Sequence, residues 1–151
     1  MLFPVSEMLL DRARCSVAGT LSVVGEKWSL LVLREAFLGV RRFADLQRIL
    51  GAPRAVLTDR LATLVDQGIL RRVPYQAEGE RQRHEYRLTQ KGMDFYPTLV
   101  ALMEWGDRYL GEDYGAMELH HRACGAPVHL SLTCEDGHVL GGAREVTPVP
   151  R

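Results

Sequence analysis

The sequence predicts a mainly α-helical protein that carries one small β-hairpin and ends in a small β-rich tail. Three observations carry this reading. Apolar residues recur at helical spacing through four segments between residues 14 and 67. An alternating run follows, interrupted by a polar stretch containing glycine, as in two strands joined by a turn. A further helical pattern then extends to about residue 110, and only beyond it do short alternating segments return.

The elements follow in order. Residues 14–24, RCSVAGTLSVV, set small and apolar residues at helical spacing and stop at Gly25. Residues 27–37 place Trp28, Leu31, Val32 and Glu35 at i, i+3, i+4 and i+7, with Leu30, Leu33 and Phe37 beside them. That pattern predicts a helix buried on most faces and closed by Gly39, with Trp28 in the core rather than stacking on a ligand. Residues 42–50 put Phe43, Leu46, Ile49 and Leu50 on one face of a short helix. Gly51-Ala52-Pro53 interrupts it, and Pro53, having no N–H, suits the first position of a helix over 53–67. Leu57, Leu61 and Leu64 form the inward face of that helix, which ends at Gly68. Two short amphipathic helices joined by a tight glycine-containing turn are the helix-turn-helix pattern.

Residues 69–75 then read as a strand, 76–83 as a polar hairpin tip and 84–88 as the return strand. Thr89 caps a long helix running to about Leu110, within which Pro97 is read as a tolerated kink. Helix, turn, helix and then a basic hairpin is the order of a winged helix-turn-helix.

Composition bounds the function. The chain is 46% hydrophobic and 25% charged, as in globular proteins, and contains no apolar run long enough for a membrane span. The N-terminus lacks the charge order and small-residue cleavage site of a signal peptide. Three widely spaced cysteines argue against a disulfide framework and for a reducing cytoplasm, so no membrane partner is expected. Net charge is zero, but its distribution is uneven. Residues 27–91 hold 13 Lys and Arg against 7 Asp and Glu, whereas residues 92–151 hold 4 against 9. A basic middle with an acidic C-terminal part fits nucleic-acid contact through one region. No Gly-rich phosphate loop, nucleophile elbow or paired carboxylate constellation points to an enzyme.

The segments GEKWSLLVL (25–33), GVRRFADL (39–46), LTDRLATLVDQGILRR (57–72) and YRLTQKG (86–92), with the late Trp105-Gly106, resemble the HxlR family of bacterial regulators, which are similar in design to the MarR family. The resemblance spans about residues 14 to 110 without a break. It implies a homodimeric transcription factor, expected to be a repressor, whose long terminal helices form the dimer interface. Each subunit would place one recognition helix in the major groove of double-stranded operator DNA. The domain reading is accordingly 1–112 for DNA binding and dimerisation and 113–151 for a C-terminal extension. A pocket for a small-molecule effector between the dimer helices and the winged domain is an alternative mode of control.

Geometry assigns the contacts independently. With Leu57, Leu61 and Leu64 inward, Ala55, Thr58, Asp59 and Ala62 lie on the opposite arc, and the N-terminal part of a recognition helix reaches base edges. Arg54 there suits a bidentate guanine contact, and Thr58 a base or a phosphate. Arg60 lies to the flank, where it could instead pair with Asp59. Arg81 and Arg83 near the hairpin tip suit a minor groove, although Glu78 and Glu80 weaken the local field. Arg42 and Lys91 are candidate phosphate clamps. For each, the alternative is a solvated surface side chain.

Two features lie outside this interface. Cys15 opens the first helix, where the helix dipole, with Arg12 and Arg14, would favour a thiolate. The resemblance implies an oxidant-sensing role for it in some members, and packing is the alternative. In the tail, His121-x2-Cys124-Gly125 precedes Cys134-x3-His138. Long members of the family have a similar tail that suggests a zinc-ribbon-like hairpin, but here the last cysteine is absent. His121, Cys124, Cys134 and His138 would offer zinc a tetrahedral set; a metal-free hairpin over 126–134 and 138–146 is the preferred reading. Disorder is expected from Pro148 onward.

Overall fold

A computed structural model describes residues 15–149. The expected absence of a signal peptide and the influence of Arg12 and Arg14 on Cys15 concern residues outside that range, as does most of the expected disorder after Pro148. The chain divides into two compact units, at Tyr96–Pro97.

The first unit, 15–96, holds α1 (Ser16–Val24), α2 (Lys27–Phe37), α3 (Phe43–Leu50), α4 (Arg54–Asp66), β1 (Leu70–Tyr75), β2 (Arg83–Leu88) and the single turn α5 (Gln90–Met93). Its core is aliphatic: Val32, Leu33, Leu46, Leu57, Leu61, Leu64 and Leu70 are almost wholly excluded from solvent. α2 is the hub, packing on α1, α3, α4 and β2. Because α2 is covered from several sides, it also buries Ser29, whose hydroxyl has no hydrogen-bond partner among the described residues, and Glu35, which accepts from Arg34 Nε at 2.8 Å. Trp28 is half-buried with the Lys27 ammonium 4.8 Å from its ring, so it edges the core rather than filling it. Ile49, expected inward, is 43% exposed; on the eight-residue α3 only Leu46 is fully covered.

α3 ends on Gly51 in the left-handed region, φ 63°, which turns the chain sharply toward α4. Pro53 is the residue before α4 rather than its first turn: its ψ of 136° is extended, and Leu57 N–H closes the helix on its carbonyl at 3.0 Å.

β1 and β2 pair antiparallel from Leu70↔Leu88 to Tyr75↔Arg83. A short extended segment, read from sequence as the start of a helix, adds to the far side of β2: Arg42 bridges Glu85, and Tyr86 N–H donates to the Arg41 carbonyl at 2.7 Å. β1 is thus the outer strand, which is where Pro74 is tolerated.

The long helix expected over 89–110 is broken. α5 ends at Met93, Asp94 and Phe95 form a turn, and α6 (Tyr96–Tyr109) begins anew. Pro97 supplies the reason, because in an unbroken helix its ring would meet the Met93 carbonyl and its missing N–H would orphan that oxygen. Thr89 caps α5 as expected, accepting from Gly92 N–H at 3.2 Å.

The second unit, 97–149, contains most of α6 and a tail with β3 (Leu132–Thr133) and β4 (Val139–Leu140), followed by a 3-10 turn at Ala143–Glu145. The strands are far shorter than the expected 126–134 and 138–146, because little apolar area covers them; Leu132 and Val139 are 59% and 68% exposed. The expected boundary at 112/113 falls inside this unit. Among the described residues no single helix is long and apolar enough to cross a membrane.

Candidate nucleic-acid interface

α4 is anchored by Leu57, Leu61 and Leu64, all with no exposed surface, and so holds its opposite arc toward solvent. Ala55, Thr58 and Asp59 are exposed on that arc and Arg54 is exposed at the helix start, while Arg60 is half-buried and Ala62 partly covered. The guanidinium of Arg54 lies 5.0 Å from the Phe43 ring of α3, a cation–π contact that restrains it at the helix start without using its in-plane donors. No side chain caps α4, so the first-turn N–H groups of Arg54, Ala55 and Val56 have no side-chain acceptor there. The Thr58 hydroxyl donates to the Arg54 carbonyl at 2.8 Å, leaving its lone pairs outward. Arg60 pairs with Asp59, as the sequence suggested, which removes both from the free charges of the arc.

The hairpin stands beside this helix in the same unit. Its tip turns at Glu78-Gly79, where Gly79 has φ 77° and Glu80 N–H donates to the Ala77 carbonyl at 3.0 Å. Arg71, Arg72, Arg81 and Arg83 are exposed and make no ion pair among the described residues. Arg87, by contrast, is held by Glu85.

Two predicted clamps are more constrained than expected. Lys91 donates to the Gln67 carbonyl at 2.7 Å and thereby caps the C-terminal end of α4. Arg42 stacks at 4.5 Å over the Tyr75 ring of β1. Sequence reasoning missed Arg41 and Arg48, which with Arg42 line a groove of about 400 Å³ together with Gly39, Val40, Asp45, Ile49 and Glu85. The alternation of Val40-Arg41-Arg42-Phe43 after Gly39 was the available signal, hidden by the helix that begins at Phe43.

Cys15 is exposed and caps α1, its sulfur accepting from Ala18 N–H at 3.5 Å. In the tail unit, His121 Nδ1 lies 3.1 Å from Cys124 Sγ, and Cys134 Sγ lies 3.4 Å from His138 Nδ1. The four expected ligands therefore form two pairs. Among the described residues, the ligand-type atoms gathered within 4.8 Å of one another belong to Cys134, Asp136 and His138. Asp136 was not foreseen.

Comparison with known proteins bears on the family and the fold. The family model described as HxlR-like helix-turn-helix matches residues 23–114. An uncharacterized HTH-type transcriptional regulator from Mycobacterium tuberculosis is 48% identical over 136 residues, 89% of this chain and 85% of the relative. The crystal structure of PA1607, described as a candidate transcription factor, superposes with a TM-score of 0.79 at 41% identity, covering 93% of this chain and 96% of the other. The redox regulator HypR in its reduced form gives a TM-score of 0.57 at 31% identity, covering 66% of this chain and all of the other, 100%.

Proposed function

We propose a function for a chain that belongs to the HxlR-like helix-turn-helix family, whose members are transcriptional regulators and not enzymes: it binds double-stranded operator DNA sequence-specifically as a homodimer and represses transcription. The observation that carries this reading is the exposed N-terminal arc of α4, with Arg54 restrained at its start and unpaired arginines on the adjacent wing. Arg54 reads a guanine through its in-plane donors, while Ala55 and Thr58 define the neighbouring contact. The uncapped first turn of α4 suits a phosphate oxygen. Arg81 and Arg83 enter the minor groove, and Arg42 and Lys91 hold backbone phosphates with the donors left to them. Asp59 and Arg60, paired together, shape the edge of the arc.

Dimerisation is supported by Leu102, Trp105 and Tyr109 along α6 and Leu110 just past its end, each at least half exposed, a run too apolar for a solvated face. We place the boundary of the regulator at 112/113, in keeping with a family match that ends at residue 114. Its site of action is the cytoplasm, with DNA. A dimer seated on an operator blocks transcription by occupancy.

Anisotropy titration against DNA from upstream of its own gene tests this. Log affinity falls linearly with log salt, with a slope of about −0.9 per phosphate neutralised. Salt-independent binding, or equal binding to every sequence, contradicts the proposal.

A second reading concerns control. Cys15 is exposed and its sulfur caps α1, so oxidation of that thiol removes the cap and adds bulk at the start of the helix. A related structure, HypR, is described as a redox regulator in reduced and oxidised forms. Oxidant-dependent loss of DNA binding that persists undiminished in Cys15→Ser would remove Cys15 from this role.

A further inference from the structure

We infer that the β3–β4 loop is a divalent-metal site in its own right, with Cys134 Sγ, Asp136 carboxylate and His138 Nδ1 as ligands for a borderline-soft cation such as Zn²⁺.

The loop geometry builds the site. Cys134 N–H donates to the His138 carbonyl at 3.1 Å, and Gly137 N–H donates to the Cys134 carbonyl at 2.9 Å. Glu135-Asp136-Gly137 is therefore a three-residue hairpin loop in which Gly137, at φ 83°, occupies the left-handed position. Such a loop sets Cys134 and His138 opposite one another, so their side chains share a face, with Asp136 at the tip between them. All three present ligand atoms within 4.8 Å of one another.

Distance and chemistry agree. Zinc bonds of about 2.3 Å to sulfur and about 2.05 Å to nitrogen, at a tetrahedral angle, put the two ligand atoms about 3.6 Å apart. Cys134 Sγ and His138 Nδ1 are 3.4 Å apart, so a metal enters with a shift of a few tenths of an ångström. One thiolate, one imidazole and one carboxylate favour Zn²⁺ or Co²⁺ over Ca²⁺ or Mg²⁺, which take oxygen. Cys134 binds as thiolate, so its proton leaves to solvent as the metal enters. Three protein ligands leave the fourth position to water. His121 and Cys124 stay outside the set: they pair with each other on a different turn, and their ligand atoms are not among those gathered within 4.8 Å.

Co²⁺ titration of the reduced full-length chain, followed by visible and near-ultraviolet absorption, tests the site, with Zn²⁺ competition and equilibrium dialysis for stoichiometry. One equivalent binds and develops a thiolate-to-cobalt band that Zn²⁺ displaces. Cys134→Ser abolishes the band, and Asp136→Asn and His138→Ala each weaken binding more than about tenfold. His121→Ala and Cys124→Ser leave affinity and band unchanged. These side chains are all exposed, so the variants fold, which circular dichroism verifies. Absence of saturable binding overturns the site and leaves the Cys134–His138 contact as a hydrogen bond. Loss of the band in Cys124→Ser with no effect of Asp136→Asn also overturns it, assigning the metal to His121, Cys124, Cys134 and His138.

Discussion

Arg54 and Ser29 show how differently one side chain can act in this chain. Arg54 is an exposed cation with no ion pair among the described residues, resting on the Phe43 ring, so its removal is expected to cost folding only the roughly 0.5–1 kcal/mol of an exposed cation–π contact. Ser29 lies on α2 with no exposed surface and no hydrogen-bond partner among the described residues. An unmet buried hydroxyl costs about 1–3 kcal/mol, more than the dispersion lost with one oxygen atom. Ser29→Ala is expected to raise stability by about 1 kcal/mol, read as a higher melting temperature or urea midpoint. A fall of similar size would mean that the hydroxyl is bonded. His120 works through protonation. The Gly125 carbonyl at 2.8 Å, and then Glu118 at 3.1 Å, raise its pKa above the ordinary 6.5. The imidazolium therefore stabilises the folded turn, fully below pH 6.5, and that contribution is lost as pH rises through the raised value. Amide exchange at His121 and Gly125, whose N–H groups bond the Ala126 and His121 carbonyls, is expected to show more opening at pH 8 than at pH 6, beyond the intrinsic base catalysis; equal protection would exclude the coupling.

Elements were legible where apolar spacing and a stop signal agreed. α2, α4 and the wing fall within a residue or two of the sequence expectation because Leu57, Leu61 and Leu64, or alternating strand residues, admit one face inward. The misses have particular causes. Pro97, expected only to kink the 89–110 helix, splits it through its clash with the preceding turn. Residues 41–42 join the sheet through backbone bonds, which side-chain patterning does not report. β3 and β4 are cut short because exposed apolar residues do not extend pairing. At the candidate interface, the exposure of Thr58 follows from helical phase, that of Arg54 from its place at the helix start, and that of Arg81 and Arg83 from the polar hairpin tip. Lys91's bond to Gln67 was not, since it joins residues far apart in sequence. One packing contact is specific enough to test at this scale. A Cβ at Gly92 would collide with the Ile69 carbonyl and lie 2.9 Å from Leu88 Cδ2. Alanine gains about 1 kcal/mol in helix propensity, but displacing backbone costs about 1–3 kcal/mol. Gly92→Ala is expected to lower stability, and a more stable variant would refute the close approach of α5 to the Ile69 carbonyl.

For the molecule as a whole, a neutral chain works as a DNA binder because its charge is segregated and the basic segment coincides with helix-turn-helix and wing. Homodimerisation belongs to the same scale. Trp105→Glu is expected to shift sedimentation toward monomer and to weaken operator binding, since two half-sites no longer share one protein. An unchanged dimer would move the interface away from α6. We propose that α4 reads bases while the basic flanks supply affinity without sequence. It is tested most directly by titrating wild type and Arg54→Ala against operator DNA and against a scrambled duplex of equal length, over a salt series. A loss of about 1–3 kcal/mol is expected on the operator, with little on the scrambled duplex and therefore a narrowed ratio between them. An unchanged ratio, or an equal loss on both duplexes, would contradict it.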